Sequence, residues 1–334
     1  NQACLDHIFV GKVASCLVNP RAGHETELRY EPAATPRRIA VVGAGPAGLA
    51  CATVAAQRGH HVTLFEASDR IGGQFNLASR IPGKEEFTET LRYFRHRIGE
   101  TGVDLRLGTP AGPAELAGYD EIVLATGIAP RKVDFPGADD PRVVGYLDIL
   151  NGRVQAGGRV AIVGAGGIGF DVAEFLVQEG PSPTLDPVRW RAEWGVDLEG
   201  SGRGGLAQPR PEPPARQVWL LQRSPGRPGA RLGKTTGWIH RATLKARQVR
   251  MHGGVEYLGM EAGGFRVRID GAEQVLPVDT VVVCAGQEPR RELQAQLQQA
   301  GIGAPVHLIG GADVAAELDA KRAIAQGSRL AAGF

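Results

Sequence analysis

Two short stretches carry residue types suited to holding a phosphorylated cofactor. Gly43-Ala-Gly-Pro-Ala-Gly48 spaces three glycines as G-x-G-x-x-G. In such a turn Gly43 permits the tight bend, Gly45 lets backbone approach a pyrophosphate, and Gly48 lets a helix sit close on the preceding strand. Pro46 and Ala47 open that helix, whose N-terminus offers N–H donors and partial positive charge to phosphates. Glu66 ends the next strand, where a carboxylate can accept from a ribose diol. Gly164-Ala-Gly-Gly-Ile-Gly169 repeats the pattern, with Gly164, Gly166 and Gly169 in the three roles and Gly167 and Ile168 at the turn into the helix. Here the following strand ends in Arg223-Ser224 instead of an acid. An arginine suits the 2′-phosphate of NADP, which a carboxylate would repel. Arg227 follows, and residues 201–250 hold 11 Lys and Arg against the single acid Glu212. The stretch is read either as an NADP phosphate pocket or as a solvated basic face or docking surface.

The elements that must position these residues follow from apolar runs and glycine punctuation. Arg38–Val42 reads as a buried strand, Pro46–Gln57 as an Ala-rich helix and His61–Glu66 as a second strand, a βαβ unit. Phe87, Leu91, Phe94 and Ile98 fall on one face of a helix expected over Lys84–Gly99. Val103–Leu107 and Glu121–Ala125 read as further strands. The order recurs with a strand at Arg159–Val163, a helix at Ile168–Gln178 and a strand at Gln217–Leu221. Between the last two lies an insertion, Pro181–Arg216, with seven prolines and five glycines, read as a long ordered or half-ordered loop. Strands and hairpins from Val255 to Ala285, a strand at Val306–Gly310 and a helix at Asp319–Leu330 complete the chain. Ala125-Thr126-Gly127 and Ala285-Gly286-Gln287 each end an apolar strand and read as crossover turns that brush a bound dinucleotide. The fold class is α/β, two tandem Rossmann-like dinucleotide-binding domains. The boundaries drawn are 1–35 for a junction segment and linker, 36–150 plus 287–334 for the first domain, and 151–286 for the second.

Composition bounds the function. Of 334 residues, 43% are apolar and 47 are glycine without a period of three, which excludes a disordered chain and a collagen-like one. Net charge is only +2, so global charge gives no case for a nucleic-acid partner. Ile39–Ala56 is uncharged but is interrupted by three glycines and Pro46, a poor membrane span. Cys4, Cys16, Cys51 and Cys284 are too few and too scattered for a disulfide framework. A reducing, cytoplasmic compartment is expected, and Cys51 and Cys284 read as small core residues. The start at Asn1 reads as a fragment or a processed chain.

Several longer stretches carry a resemblance. Gly72-Gly73-Gln74 follows Glu66, and Gly310-Gly311-Ala312-Asp313 follows a strand near the C-terminus. Both resemble two-dinucleotide-domain flavoproteins, in which an Asp in this position binds the ribityl chain of FAD. Asn1-Gln-Ala-Cys-Leu-Asp-His-Ile-Phe, Gly11-Lys-Val-Ala-Ser-Cys-Leu-Val-Asn-Pro-Arg-Ala, Ile81-Pro-Gly-Lys-Glu-Glu-Phe, Leu232-Gly-Lys-Thr-Thr-Gly-Trp-Ile-His-Arg and Glu317-Leu-Asp-Ala-Lys-Arg-Ala-Ile-Ala-Gln-Gly resemble the bacterial NADPH-dependent 2,4-dienoyl-CoA reductases. More broadly the chain is similar to the trimethylamine dehydrogenase-like flavoenzymes. The resemblance implies FAD on the first domain, at Gly43, Gly45, Pro46, Ala47, Gly48, Glu66, Gly73, Gln74, Ala125, Thr126, Gly127, Gly311, Asp313 and Ala320. It implies NADP on the second, at Gly164, Gly166, Gly167, Ile168, Gly169, Arg223, Ser224, Arg227 and Gly286. Hydride then passes between cofactors, so no general acid or base of this chain is expected. Asp171 either orients the nicotinamide or is a surface acid of its helix. In that family a barrel domain holding FMN precedes a 4Fe-4S cluster, and Cys4 and Cys16 match the last two of its four ligands. The other two ligands and the FMN barrel are expected to be missing partners of this chain. The remaining readings are a stand-alone NAD(P)H:acceptor flavin reductase, like a ferredoxin reductase or a glutamate synthase small subunit, and a nucleotide sensor without turnover. No physical role is visible for Lys234, Thr235 and Trp238.

Overall fold

The computed structural model describes residues 3–315 and 319–334. Asn1, Gln2 and the Glu317-Leu318 part of the resemblance lie outside the described residues. A short helix α1 (Ala3–Ile8) is followed by turns, and then by β1 (Arg38–Val42), α2 (Pro46–Gln57) and β2 (His61–Phe65). Next come α3 (Phe75–Ala78), α4 (Phe87–Thr101), β3 (Asp104–Arg106), α5 (Pro113–Leu116), β4 (Glu121–Leu124) and β5 (Ile128–Pro130). The second fold holds β6 (Val143–Gly145), α6 (Tyr146–Leu150), β7 (Arg159–Val163), α7 (Gly167–Val177), α8 (Pro187–Trp194), β8 (Gln217–Leu221) and α9 (Gly237–Ala246). It continues with β9 (Arg250–His252), β10 (Glu256–Glu261), β11 (Gly264–Ile269), β12 (Ala272–Leu276) and β13 (Thr280–Val283). The chain ends with β14 (Gln287–Pro289), α10 (Glu292–Gln299), β15 (Val306–Leu308) and α11 (Ala320–Ala332).

Each fold has a five-stranded parallel sheet, ordered β15-β4-β1-β2-β3 in the first and β6-β13-β7-β8-β9 in the second. β1 and β7 are buried along four consecutive residues each. Such continuous apolar runs, rather than alternation, belong to parallel strands covered on both faces. In the first fold α2 and α4 contribute Leu49, Val54, Leu91 and Phe94 to one face, and Leu116 and Leu297 cover the other. In the second fold α7 and α9 pack Phe170, Leu176 and Leu244 on one face. The antiparallel ladder β10-β11-β12 covers the other with Phe265, Val267 and Ile269. In both sheets the connection reverses direction beside the first strand, between β1 and β4 and between β7 and β13. Ligands of open α/β sheets bind at the carboxyl ends of strands at such a reversal. No helix among the described residues is long and apolar enough to cross a membrane.

Three expectations need correction. The first compact unit holds residues 1–76, 86–129 and 287–334, and the second 77–85 and 130–286, so 130–150 lies with the second fold. The reason is packing: β6 pairs with β13, and Ile81, Tyr146 and Ile149 bury in the second core. Helix α4 begins at Phe87, not Lys84, because the residues before it fold with that core. The 181–216 insertion is structured. Asp186 caps α8, accepting from Val188 N at 3.0 Å and Arg189 N at 3.1 Å, and Gly195 ends the helix at φ +67°. Arg247, its side chain 4% exposed, pins the insertion through Glu193 Oε1 at 2.5 Å and the Glu212 carbonyl at 2.9 Å. In the segment before β1, Leu17 and Leu28 are buried, Leu17 in the first core. Cys51 and Cys284 are buried as expected, and burial pushes the Cys51 thiol up to about 12.

Candidate functional site

Each sheet ends at the point of reversal in a glycine turn. Gly43 has φ +106°, and a Cβ there would lie 2.4 Å from the Ala125 carbonyl oxygen. A Cβ on Gly48 would lie 1.9 Å from the Gly43 carbonyl oxygen, so only glycine lets α2 start this close to the turn. A Cβ on Gly45 would meet nothing within 4 Å. That combination, two glycines pressed against backbone and one facing open space at a helix start, is the geometry that a phosphate cradle needs. Pro46 and Ala47 form its rim as the first turn of α2.

Glu66 is half-buried and its carboxylate holds the turn. Oε2 accepts from Ala44 N at 2.8 Å, and Oε1 accepts from Ser68 N at 2.9 Å and Ser68 Oγ at 2.8 Å. A carboxylate has about four acceptor positions, so capacity for a ribose hydroxyl remains. The Gly72-Gly73-Gln74 loop lies against this turn: Gly72 N donates to Ala44 O at 2.8 Å, a Cβ on Gly73 would lie 3.2 Å from Gly45 Cα, and Gln74 is exposed. Thr126 Oγ1 donates to Arg290 O at 2.7 Å, and Gly127 turns at φ +76°. A Cβ on Gly311 would sit 2.7 Å from Ile128 Cγ2 and 3.2 Å from Gly127 C. Asp313 Oδ2 accepts from Gln326 Nε2 at 2.7 Å, and Gln326 Oε1 accepts from Gly310 N at 2.8 Å. Ala320 opens α11, capped by Asp319, which accepts from Lys321 N at 2.8 Å. The residues expected around FAD thus collect past the ends of β1, β2, β4 and β15.

The second fold repeats the arrangement. Gly164 turns at φ +109°, with a Cβ position 2.8 Å from the Cys284 carbonyl, and a Cβ on Gly169 would lie 1.8 Å from the Gly164 carbonyl oxygen. Gly166 and Gly167 face open space, and Ile168 is half-buried on α7. Gly286 turns at φ +83° beside the guanidinium of Arg131, a cation that spacing alone did not reveal. Arg223, Ser224 and Arg227 are exposed just past β8. The basic excess is not one face: Arg216, Arg241 and Arg247 are spent on backbone carbonyls inside the fold.

Helix α7 also carries two paired carboxylates. Asp171 Oδ1 lies 2.5 Å from Lys84 Nζ, both partly buried, so it is an ion-paired residue and not a lone surface acid. Glu174, 6% exposed, lies 2.8 Å from His240 Nδ1. This contact gives the Leu232–Arg241 stretch a physical role, seating α9 on α7. Burial raises the Glu174 carboxyl above its ordinary range, and His240 opposes the shift. A raised carboxyl favours its neutral form in the folded state, so the ionised form costs stability above that range and nothing below it. His240→Ala is therefore expected to lose about 2–3 kcal/mol of stability at pH 8, and less at pH 5. Urea unfolding at the two pH values checks the sign.

Cys4 is exposed and Cys16 half-buried, and both are free. Among the described residues no three His, Cys, Asp or Glu side chains come together as a metal group. Two thiols fall short of the four that a 4Fe-4S cluster takes.

Comparison with known proteins shows the family of the chain. The model of the pyridine nucleotide-disulphide oxidoreductases matches residues 37–306. A metal reductase of Desulforamulus reducens is 35% identical over 306 residues, 89% of this chain and 44% of the relative. An NADH oxidase of Thermoanaerobacter brockii is 29% identical over 323 residues, 93% of this chain and 44% of the relative. A solved 2-naphthoyl-CoA reductase, in complex with 2-naphthoyl-CoA, superposes with TM-score 0.84 at 26% identity, covering 100% of this chain and 46% of that one. The chain spans less than half the length of each.

Proposed function

Because the chain belongs to the pyridine nucleotide-disulphide oxidoreductase family, we propose that it is a flavin-dependent oxidoreductase module that takes hydride from NADPH onto FAD. The observation that carries this reading is the pair of cradles, Gly45 and Gly166 open while Gly48 and Gly169 are pressed on backbone. Family membership supports FAD and NAD(P) in general terms. The assignment of FAD to the first fold and NADP to the second rests on Glu66 and Arg223.

The chain's own residues bind and orient. The first turns of α2 and α7 donate backbone N–H groups to pyrophosphate. Glu66 accepts from a ribose diol, and Asp313 from a polyol chain. Arg223 and Ser224 donate to a 2′-phosphate, with Arg227 adding charge. The start of α11, at Ala320, offers positive dipole to negative charge on a reduced ring. The Lys84–Asp171 pair holds its charges at the first turns of α7, beside the second cradle. In a longer protein, the resemblance and the 2-naphthoyl-CoA reductase relative favour an unsaturated acyl-CoA thioester, a 2,4-dienoyl-CoA, as final acceptor. No residue here is assigned to that step, and none is routed through a cluster that Cys4 and Cys16 alone do not fit. A second reading is a stand-alone NAD(P)H:acceptor reductase using the same cradles.

The test is anaerobic addition of NADPH to flavin-loaded protein. Bleaching of the flavin band is expected, and a band that stays oxidised sinks the proposal. Arg223→Glu is expected to raise KM for NADPH about 30-fold and leave KM for NADH unchanged, since it removes one charge-assisted contact and adds repulsion. Steady-state kinetics with both nucleotides reads the difference; unchanged NADPH preference refutes the Arg223 assignment.

A further inference from the structure

The loop that carries Arg223 is built against a second turn of the same fold. Past β8, Gln222 N donates to His252 O at 2.9 Å, and Val255 N donates back to Gln222 O at 2.9 Å. Gly254 N donates to Ser224 O at 2.9 Å, and so does Gln222 Nε2, also at 2.9 Å. Tyr257 Oη donates to Leu221 O at 3.2 Å. The two turns touch at their backbones: a Cβ on Gly253 would lie 2.0 Å from the Gly226 carbonyl oxygen and 3.4 Å from that of Ser224. Gly253 is absent from the left-handed glycines, so the close approach, not its dihedral, demands glycine here.

The consequence is electrostatic. The carbonyls of Gln222 and Ser224 are committed to the 252–257 side, while that of Leu221 also accepts from Gly164 N at 2.9 Å. The side chains of Arg223, Ser224 and Arg227 are exposed. A carbonyl oxygen facing a phosphate dianion repels it, and loops that bind anions turn carbonyls away and present donors. We propose that the 252–257 turn is a positioning brace that sets preference for a 2′-phosphorylated adenosine. It does so by fixing the 222–226 loop with its carbonyls averted and its donors outward. Gly253 is the residue that lets the brace close, and Gln222 ties the loop from within. This inference rests on the reading of Arg223 as a 2′-phosphate ligand.

The experiment measures calorimetric affinity for 2′,5′-ADP and for 5′-AMP, which differ by the 2′-phosphate, on the full chain. The wild-type ratio of the two affinities defines the preference. Arg223→Ala is expected to collapse the ratio. Gly253→Ala is expected to lower it about fivefold with 5′-AMP affinity held, and Gln222→Leu about threefold. Gln222→Leu removes only a side-chain tie, and it carries the test if Gly253→Ala does not fold. A ratio unmoved by Gly253→Ala and Gln222→Leu, or equal loss of both ligands, overturns the brace while the Arg223 reading stands. A ratio unmoved by Arg223→Ala overturns that reading, and the brace with it. A merely structural role would weaken both ligands together.

Discussion

Gly48→Ala is expected to yield protein that purifies without flavin colour. The added methyl would lie 1.9 Å from the Gly43 carbonyl oxygen, a contact with backbone that no rotamer relieves. The start of α2 must move off the turn, and the N–H groups that meet the pyrophosphate move with it. Overpacking against fixed backbone costs about 3 kcal/mol, so FAD affinity should fall at least about 100-fold. Gly45→Ala makes the contrast sharp. Its Cβ meets nothing within 4 Å in the protein, so stability should hold while the methyl occupies space kept for the ligand. Titration of each variant with FAD, alongside thermal unfolding, separates the two effects. Full flavin occupancy in Gly48→Ala would remove the basis for placing a cofactor there.

The matching change in the second fold should leave colour and remove turnover. A Cβ on Gly169 would lie 1.8 Å from the Gly164 carbonyl oxygen, so Gly169→Ala displaces α7 from its turn by the same argument. NADPH-driven bleaching is expected to slow at least about 100-fold at fixed nucleotide concentration. Flavin content and reduction by dithionite should be unchanged, because the first cradle lies in a separate compact unit. Rapid mixing under anaerobic conditions reads the rate. Normal NADPH reduction in this variant would place the nicotinamide nucleotide elsewhere.

What could be read in advance was the local chemistry. The bounds of β1, α2, β7 and β8 follow from unbroken apolar runs next to glycine, because parallel strands covered on both faces need such runs. Both glycine turns follow from steric rules that act within a few residues. Helix α8 was legible in principle, with Asp186-Pro187 at its start and Gly195 at its end, but the prolines and glycines around it argued for a loop. Helix α9 was hidden in a run of basic residues whose buried side, Gly237 and Leu244, is narrow. The partners of Asp171 and Glu174 were not legible. Lys84 and His240 reach them across 87 and 66 residues, and only the closed fold makes them neighbours. The domain border failed for the same reason, since nothing local tells which core will take Ile81 or Tyr146.

The first unit is interrupted by the second, and this sets an order of assembly during translation. β15 pairs with β4, and α11 packs so closely on α2 that a Cβ on Gly327 would lie 2.2 Å from Ala47 O. Both late elements leave the ribosome only after residues 130–286 have been made, a delay on the order of 10–30 s at about 5–20 residues per second. Throughout that interval one flank of β4 lacks its strand partner, an edge open to adventitious pairing. The nascent chain therefore completes its inserted half first, and the earlier half closes its sheet only once β15 and α11 have emerged.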